Sequence, residues 1–376
     1  MTDTEKLLRE LVALPSVNPA FLPAGHSDAG EARVAEFLGA TAARSSLDVN
    51  FQKVARGRSN VIARLTPSGK SKCRILLAPH MDTVAACAPD QFVPRVTNGR
   101  LYGRGACDTK GSVAAMLTAL TDLARSGHRP AETEIIFAAL VDEENIQAGS
   151  RALAASGLRA DLAIVGEPTR LNIVTAHKGS VWLRLETRGK AAHGSCPELG
   201  KNAVHEMAHI VDLLETDYAQ QLSRRRHPLL GPATVSVGSI RGGTQPNIVP
   251  ASCLASADRR TLPGENDRQV CAEIDKLLRK NGLRAKIESE KPSDCAPMET
   301  DSRLPLVQGL LKIARQRRPV GVNFFCDASV LAQAGIPSVV FGPGDIAQAH
   351  TVDEWVELKS VERAAALLLR FFQSLP

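Results

Sequence analysis

Short apolar runs alternate with amphipathic segments along the first half of the chain. Residues 73–78, 134–141 and 161–165 are predominantly apolar runs, each of a length typical of strands that are buried on both faces. Between them, the hydrophobic positions of residues 111–124 and 148–156 recur at helical spacing. This β-α-β-α-β order predicts an α/β fold with a largely parallel sheet and helices on both of its faces.

The pattern changes in the middle of the chain. Alternating hydrophobic and polar positions over residues 181–187 and 234–240 predict half-exposed strands, and residues 253–258 are a candidate third strand. Helical spacing over residues 202–215 and 267–279 predicts helices between or after these strands. Together they indicate an antiparallel α+β unit that is inserted into the first domain.

The α/β pattern returns toward the end of the chain. Residues 288–300 contain prolines and few apolar residues, and we interpret them as the connection back to the first domain. The hydrophobic pattern then predicts a helix over 304–314, a strand over 338–341 and a closing helix over 360–372.

The length of 376 residues exceeds what one hydrophobic core usually serves, so we expect two domains. We place a discontinuous domain at residues 1–175 and 290–376, and an inserted domain at residues 176–289. The first residues lack the pattern of a signal peptide, and no apolar segment is long enough to span a bilayer. We therefore expect no membrane association.

Charge and cysteine content narrow the class of protein further. The formal net charge of +6 is mildly basic, but the one compact basic run, residues 224–227, has no interleaved aromatic residues. That pattern favours a solvated segment over a nucleic-acid patch. The eight cysteines are scattered, with no Cys-x-x-Cys pair, which indicates reduced and mostly buried thiols in a cytosolic protein.

Residues that can bind metal recur near the ends of the predicted strands. Five segments carry them: His80-Met81-Asp82, Asp108, Glu143-Glu144, Glu167 and His350. In open α/β sheets ligands bind beyond the carboxyl ends of the strands, where three of these segments fall. Two imidazoles, three further carboxylates and one spare carboxylate are about what two divalent ions and a general base need. Metal-assisted hydrolysis is therefore the leading hypothesis.

Each segment by itself has an ordinary structural explanation. His80 and Asp82 are two residues apart and would face the same side of a strand end, where a carboxylate can fix the tautomer of a ligand imidazole. They could equally form a surface pair. Asp108 could be a helix N-cap, the glutamate doublet could be a solvated acidic turn, and the last two segments could hold ordinary loop residues.

Longer motifs surround these residues and follow one another along nearly the whole chain. They are Pro79-His80-Met81-Asp82-Thr83-Val84, residues 101–111, Asp142-Glu143-Glu144, Gly166-Glu167-Pro168-Thr169, and the segment from Gly342-Pro343-Gly344 to Ala349-His350-Thr351. In these motifs the chain resembles the M20 family of co-catalytic zinc peptidases and deacylases, particularly its acetylornithine deacetylase and succinyl-diaminopimelate desuccinylase branch. The resemblance implies a zinc-exopeptidase-like mixed sheet flanked by helices, with an inserted α+β lid or dimerisation domain.

The resemblance also implies two zinc ions in each subunit, for which Co²⁺ would substitute. The metal ligands that it implies are His80, Asp108, Glu144, Glu167 and His350. Asp108 would bridge the two ions. His80 and Glu167 would complete one site, and Glu144 and His350 would complete the other.

Three further residues take implied roles in catalysis. Glu143 would be the general base, and Asp82 would orient His80. His193, in the inserted domain, resembles the family histidine that reaches into the active site of a partner subunit and polarises the scissile carbonyl. The resemblance therefore implies a homodimer formed through the inserted domain.

Asn247, Arg260 and Gly344 resemble positions that contact the substrate. For Arg260 an ion pair with Asp258 is an alternative, and the adjacent Arg259 leaves the assignment open by one position.

The implied activity is removal of the acyl group from an N-acyl-amino acid. A dipeptidase or carboxypeptidase of the same fold is an alternative, because amide chemistry does not distinguish acyl groups. Glu167 and the segment Ala176-His177-Lys178-Gly179 resemble the deacetylase branch more than aminopeptidases. The chain could also be a catalytically silent metal-binding relative, but the presence of Glu143 and of all the implied ligands speaks against this.

Overall fold

The computed structural model describes residues 1–291 and 293–376, and over these residues the chain divides into two compact units. The first unit comprises Met1–Thr175, Glu299–Val320 and Cys326–Pro376, and the second comprises Ala176–Met298 and Gly321–Phe325. Every helix in this described part is too short or too polar to serve as a membrane span.

The described residues form these α-helices: α1 (Asp3–Val12), α2 (Ala32–Ala43), α3 (Lys110–Arg125), α4 (Ala148–Ala155), α5 (Ala203–Leu213), α6 (Ala219–Ser223), α7 (Asp267–Lys280), α8 (Pro305–Ala314), α9 (Ala328–Gln333) and α10 (Leu358–Gln373). They form these strands: β1 (Asp48–Ala55), β2 (Arg58–Leu65), β3 (Cys73–Pro79), β4 (Arg95–Thr97), β5 (Arg100–Tyr102), β6 (Thr133–Ala139), β7 (Leu162–Gly166), β8 (Val174–His177), β9 (Gly179–Arg188), β10 (Arg226–His227), β11 (Gly231–Pro232), β12 (Thr234–Gly242), β13 (Ser252–Thr261), β14 (Lys286–Ser289), β15 (Met298–Glu299), β16 (Val320–Val322), β17 (Ser338–Val340) and β18 (Trp355–Glu357).

A nine-stranded mixed sheet is the framework of the first unit. Its order is β1-β2-β6-β3-β7-β17-β8-β15, and β16 also pairs with β8. β3 is parallel to β6 and β7, and β17 is parallel to β7, whereas β2 is antiparallel to β1 and β6. Helices flank this sheet, so the predicted α/β fold class with a mixed sheet between helices is confirmed, and its parallel pairs lie at the centre of the sheet.

The central strands are buried because their residues are apolar throughout. All residues of β6 and β7 are buried, and so is nearly all of α3, which is rich in alanine and leucine and packs against β3 and β6. Each buried leucine or isoleucine side chain in this core contributes about 1.5–3 kcal/mol relative to an exposed one. The core therefore fixes the strands from which the candidate site residues project.

Three of the parallel strands end at the same edge of the sheet and carry candidate residues in the loops that follow. His80 comes directly after β3 and forms an isolated parallel bridge with Leu140, at the end of β6. Glu167 follows β7 directly, and the Glu143-Glu144 doublet comes shortly after β6. The sheet topology therefore gathers residues that lie far apart in the sequence.

The second unit contains a four-stranded antiparallel sheet with the order β12-β13-β9-β14. Burial alternates along β9 and β13, as expected for strands with one covered face. The helices α5 and α7 contribute apolar residues to the hydrophobic core of this unit.

The hydrophobic pattern does not predict every element. β14 lies partly in residues 288–300, which we interpreted as a connection, but it pairs antiparallel with β9. Its sequence Lys-Ile-Glu-Ser contains one apolar residue, which is too few for a recognisable alternation. The hairpin of β1 and β2 and the helix α2 are also absent from the predicted elements.

Candidate metal centre

His80 is buried, and both of its ring nitrogens lie near oxygen atoms. Nδ1 is 3.0 Å from the main-chain oxygen of Asp82, and it must donate this hydrogen bond because a carbonyl only accepts. A neutral imidazole then carries its lone pair on Nε2, which lies 3.2 Å from Asp108 Oδ1 and 3.9 Å from Glu167 Oε1. Acceptors that face one another in this way require a proton or a cation between them.

Asp108 lies between two imidazoles. Its Oδ1 faces His80, and its Oδ2 is 3.2 Å from Nε2 of His350. The same His350 nitrogen is 3.2 Å from Oε2 of Glu144. The N-cap position of α3 is occupied by Thr109, whose hydroxyl donates to the main-chain oxygen of His80 at 3.1 Å, and the Asp108 side chain points to the histidines. Each oxygen of Asp108 therefore faces a different imidazole, and each imidazole lies near a further glutamate.

Asp82 holds the glutamate doublet in place. Its Oδ1 accepts the main-chain N–H of Glu143, and its Oδ2 accepts that of Glu144, both at 3.1 Å. Asn18 Nδ2 donates a third hydrogen bond to Asp82 Oδ2 at 2.7 Å. The Asp82 carboxylate is 3.5 Å from His80 Nδ1, farther than the Asp82 main-chain oxygen. That Asp82 orients His80 through its carboxylate remains a prediction.

The cluster combines several carboxylates with few positive charges. Burial, and next the negative charge of Glu167, raises the pKa of Glu143 well above its ordinary value. Burial, and next Asp108, also raises the pKa of Glu144. The carboxylates of Asp108 and Glu144, which accept hydrogen bonds from the His350 ring, raise the pKa of His350 to about 10. All three shifts reflect a shortage of positive charge.

These residues fit a metal centre by the chemistry of their donor atoms. Ligand atoms of His80, Asp108 and Glu144 lie within 4.8 Å of one another. Oε1 of Glu144 is buried and has no hydrogen-bond partner among the described residues. Imidazole nitrogens and carboxylate oxygens suit Zn²⁺ and similar divalent ions, and a cation would supply the missing positive charge.

Glu354 binds the main chain of the loop that carries Asp108. It is not one of the site residues predicted from the sequence. Its buried Oε1 accepts the main-chain N–H groups of Cys107 at 2.9 Å and Asp108 at 3.0 Å. Its Oε2 accepts the N–H of Gly105 at 3.0 Å and Nη1 of Arg104 at 2.7 Å. Glu354 follows His350 by four residues, so it connects the loop of Asp108 to the loop of His350. Its position near the candidate histidine is the one sequence signal that could have indicated it.

Asp327 is a second buried acid that the sequence does not identify as a site residue. Its Oδ1 accepts a hydrogen bond from Ser150 Oγ at 2.5 Å, and its Oδ2 has no partner among the described residues. Burial raises the pKa of Asp327 to about 6, although the hydrogen bond from Ser150 opposes this shift. The negative charge of Asp327 also contributes to the raised pKa of Glu143 and Glu167.

Two of the predicted residues lie in adjoining loops of the second unit. His193 is exposed, and its Nδ1 is 2.7 Å from Ser195 Oγ. Asn247 is exposed too, and its main-chain oxygen accepts the N–H of Gly194 at 2.7 Å. His193 and Ile248 form an isolated antiparallel bridge. The second unit therefore presents His193 and Asn247 on one surface.

The two adjacent arginines of β13 lie in different surroundings. Arg260 is half-exposed and donates from Nε to Asp258 Oδ2 at 2.8 Å, the ion pair considered as an alternative. Arg259 is fully buried, where it donates to Glu265 Oε1 at 2.6 Å and to the Tyr218 hydroxyl at 3.3 Å. Of the two arginines, Arg260 is the one that a dissolved molecule can reach.

Gly344 lies in the first unit, in the loop between β17 and His350. Its φ of +85° is in the left-handed region, and an added Cβ would lie 2.5 Å from Cys107 Sγ. Its main-chain oxygen accepts the N–H of Arg170 at 2.7 Å. A side chain here would press on the residue that precedes Asp108, so a glycine suits this position for steric reasons alone.

Comparison with known proteins agrees with this fold. The model of Peptidase family M20/M25/M40 matches residues 76–374. The chain is 32% identical over 390 aligned residues to acetylornithine deacetylase of Myxococcus xanthus, covering 98% of both sequences. Its fold is similar to that of aminopeptidase PepT from Bacillus cereus ATCC 10987, with a TM-score of 0.79, 23% identity and coverage of 99% and 97% of the two chains. It is also similar to the M20 family metallo-carboxypeptidase Sso-CP2 from Sulfolobus solfataricus, with a TM-score of 0.76, 20% identity and 99% coverage of both chains.

The fold and the donor set define a metal-dependent amide hydrolase. The chain belongs to Peptidase family M20/M25/M40. The resemblance read from the sequence motifs is therefore confirmed, and so is the predicted class of enzyme.

Proposed function

We propose that the protein is a dizinc amidohydrolase that removes the acyl group from an N-acyl-amino acid. The observation that carries this proposal is the position of Asp108, whose two carboxylate oxygens each lie 3.2 Å from a different histidine nitrogen. A carboxylate placed in this way is suited to bridge two ions, each of which would also be held by one histidine and one glutamate.

In this proposal His80 and Glu167 hold one ion, Glu144 and His350 hold the other, and Asp108 is shared. The zinc ions would supply Lewis-acid chemistry, by polarising the amide carbonyl and lowering the pKa of the attacking water. The N and O donors favour zinc, and Co²⁺ is expected to replace it.

Glu143 is the proposed general base. Its main chain is held by Asp82, and burial raises the pKa of its carboxyl, which makes it a stronger base toward water. The same carboxyl would then deliver the proton to the leaving amine. His193 is proposed to donate a hydrogen bond to the carbonyl oxygen as negative charge develops on it.

The proposed substrate class follows from the relatives. The Myxococcus xanthus protein at 32% identity is an acetylornithine deacetylase, and its sequence aligns over 98% of its length. We propose that Arg260 pairs with the substrate's α-carboxylate by a charge-assisted hydrogen bond, for which Asp258 would have to release it. Asn247 and Gly344 are proposed to contact the substrate as well.

A substrate panel tests the proposed function. We expect the zinc-loaded protein to hydrolyse N-acetyl-amino acids with a higher kcat/KM than N-succinyl-amino acids or dipeptides, and to favour a free acid over its α-carboxamide. The preference for the free acid should disappear in Arg260→Gln, because the cation is removed. Faster cleavage of dipeptides would identify the protein as a dipeptidase. Equal rates for the free acid and the carboxamide would contradict the role of Arg260.

Replacement of Glu354 tests how the bridging ligand is positioned. Glu354→Gln keeps the size of the side chain but lacks one of the acceptors for the N–H groups around Asp108. We expect zinc affinity to fall by about 10–100-fold, as for other residues that orient metal ligands. Competition with a chromophoric chelator measures this affinity, and Asp353→Asn, at an exposed neighbouring carboxylate, is the matched control. Unchanged zinc affinity in Glu354→Gln would limit Glu354 to a structural role.

The proposed homodimer gives His193 a specific test. β12 lies at the edge of the sheet in the second unit, and an edge strand can pair with a second copy of the chain. His193→Ala should then lose about 10²-fold or more in kcat, as for removal of an oxyanion donor. His128→Ala, at another exposed histidine, should leave kcat unchanged.

A mixing experiment distinguishes action across the dimer from action within one chain. Equal amounts of inactive His193→Ala and inactive Glu143→Ala should recover part of the activity, because one active site of the mixed dimer combines an intact base with an intact histidine. Absence of recovery despite verified subunit exchange would show that His193 acts within its own chain or has no role.

A further inference from the structure

The helix α5 of the second unit contains the sequence His205-Glu206-Met207-Ala208-His209. This is the pattern H-E-x-x-H, which on a helix places two imidazoles on the same face, one turn apart. None of these residues takes part in the proposed reaction, and the inference that follows does not depend on that reaction.

The fold determines which face of α5 the two histidines occupy. Ala203, Met207 and Ile210 are buried in the hydrophobic core of the second unit, while His205 and His209 are exposed. The helix begins regularly at this point, because the side chain of its N-cap residue Asn202 accepts the main-chain N–H of His205 at 3.0 Å. The two imidazoles are therefore presented to solvent from the first and second turns of the helix.

The two ring nitrogens lie at a separation that suits chelation. Nε2 of His205 is 3.1 Å from Nε2 of His209. Two nitrogens bound to one ion at about 2.0–2.1 Å lie about 2.9–3.4 Å apart for ligand angles between square-planar and tetrahedral values. The observed separation falls in this range, so both imidazoles could bind one ion without a change of rotamer. The competing explanation is a hydrogen bond between the rings, with one proton shared.

The surroundings of the motif argue against a second peptidase site. In metallopeptidases with this pattern the glutamate acts as the general base. Here Oε2 of Glu206 is 2.6 Å from Lys201 Nζ, and its Oε1 accepts the main-chain N–H of Arg284 at 3.3 Å. Among the described residues no third histidine, cysteine or carboxylate donor completes the group. Water would therefore fill the remaining positions around an ion.

We propose that His205 and His209 form a peripheral site for one transition-metal ion of borderline softness, such as Zn²⁺ or Cu²⁺. The site is bidentate, exposed and without catalytic activity of its own. Imidazole is a favoured ligand of these ions, and Cu²⁺ binds most strongly of the divalent series, which makes it the most sensitive probe.

Equilibrium dialysis of the zinc-reconstituted enzyme, freed of loosely bound zinc, against Cu²⁺ tests the site, with zinc measured at the end to verify that the zinc of the proposed active site is retained. The parent should bind one Cu²⁺ ion more than His209→Asn and His205→Asn/His209→Asn. The His128→Asn variant, which changes an unrelated exposed histidine, should bind as the parent does. Electron paramagnetic resonance of the bound Cu²⁺ should show two nitrogen ligands in the parent and lose that signature in the double variant.

The same measurements can also contradict the proposed site. Equal Cu²⁺ binding by the parent and the double variant would overturn the proposal and leave the two rings joined by a shared proton. Because both side chains are exposed, the zinc-loaded variants should unfold at the same temperature as the zinc-loaded parent without Cu²⁺. Hydrolytic activity should be unchanged in both variants, so failure of the proposed reaction and failure of this site would be seen in separate measurements.

Discussion

Glu143→Ala is expected to lose about 10²–10⁴-fold in kcat while it keeps its bound metal, because removal of a general base slows proton transfer without removing a ligand. The pKa of the Glu143 carboxyl is raised by burial and by several neighbouring carboxylates, Glu167 foremost. A carboxylate with a raised pKa accepts a proton from water more readily. Turnover and zinc content should be measured on the same preparation.

The adjacent glutamate provides the matched control for this experiment. Glu144 differs from Glu143 in its contact with His350, at 3.2 Å, and is proposed to be a ligand. Glu144→Ala should therefore lose bound metal together with activity, whereas Glu143→Ala should lose activity alone. If Glu143→Ala kept turnover within about tenfold of the parent, Glu143 would not be the base.

The central part of the fold could be predicted from the sequence because its strands are buried on both faces. Such strands appear as continuous apolar runs, and the predicted run of residues 73–78 corresponds to the strand β3 (Cys73–Pro79). No residue of the edge strand β1 is buried, and its apolar residues are interrupted by polar ones, so it contains no continuous apolar run. The hydrophobic pattern of a segment depends on how much of it is buried. Strands and helices with few buried residues are therefore poorly predicted from that pattern.

The residues of the candidate site also differ in whether the sequence alone could predict them. His80, the glutamate doublet and Glu167 follow parallel strands, so the rule for α/β sheets already brings them to one edge. Glu354 could not be found in this way, because it acts on main-chain N–H groups of a loop that lies 246 or more residues earlier. A main-chain donor has no residue-specific signal, and only the structure shows that the two segments are in contact.

The roles predicted for residues of the second unit involve molecules outside this chain. His193 and Asn247 lie on one surface, but their proposed roles concern a substrate and a partner copy of the chain. Arg260 has a partner, Asp258, within its own strand. Intrachain contacts account for the position of each side chain, and the roles of all three stay predictions that the substrate panel and the mixing experiment address.

Chelation is expected to abolish activity completely, and Zn²⁺ or Co²⁺ should restore it. Without a cation, Nε2 of His80 and Nε2 of His350 face carboxylate oxygens of Asp108, and the excess of negative charge favours protonation of His350 and of Glu144. A protonated centre offers neither the ligands nor the base that the reaction needs. Activity and metal content should therefore rise together on reconstitution.

Metal removal should also lower stability, which provides a readout besides activity. An ion that binds only the folded chain stabilises it by about 4 kcal/mol when its free concentration is a thousand times its Kd. We therefore expect the chelated protein to unfold at a lower temperature, and the original Tm to return with zinc. The control is the same concentration of chelator saturated with zinc beforehand, which should change neither Tm nor activity. A protein that holds no divalent ion after zinc reconstitution, or that hydrolyses its substrate fully without one, would contradict the metal centre itself. The electrostatics of the cluster would then have to be satisfied by protons alone.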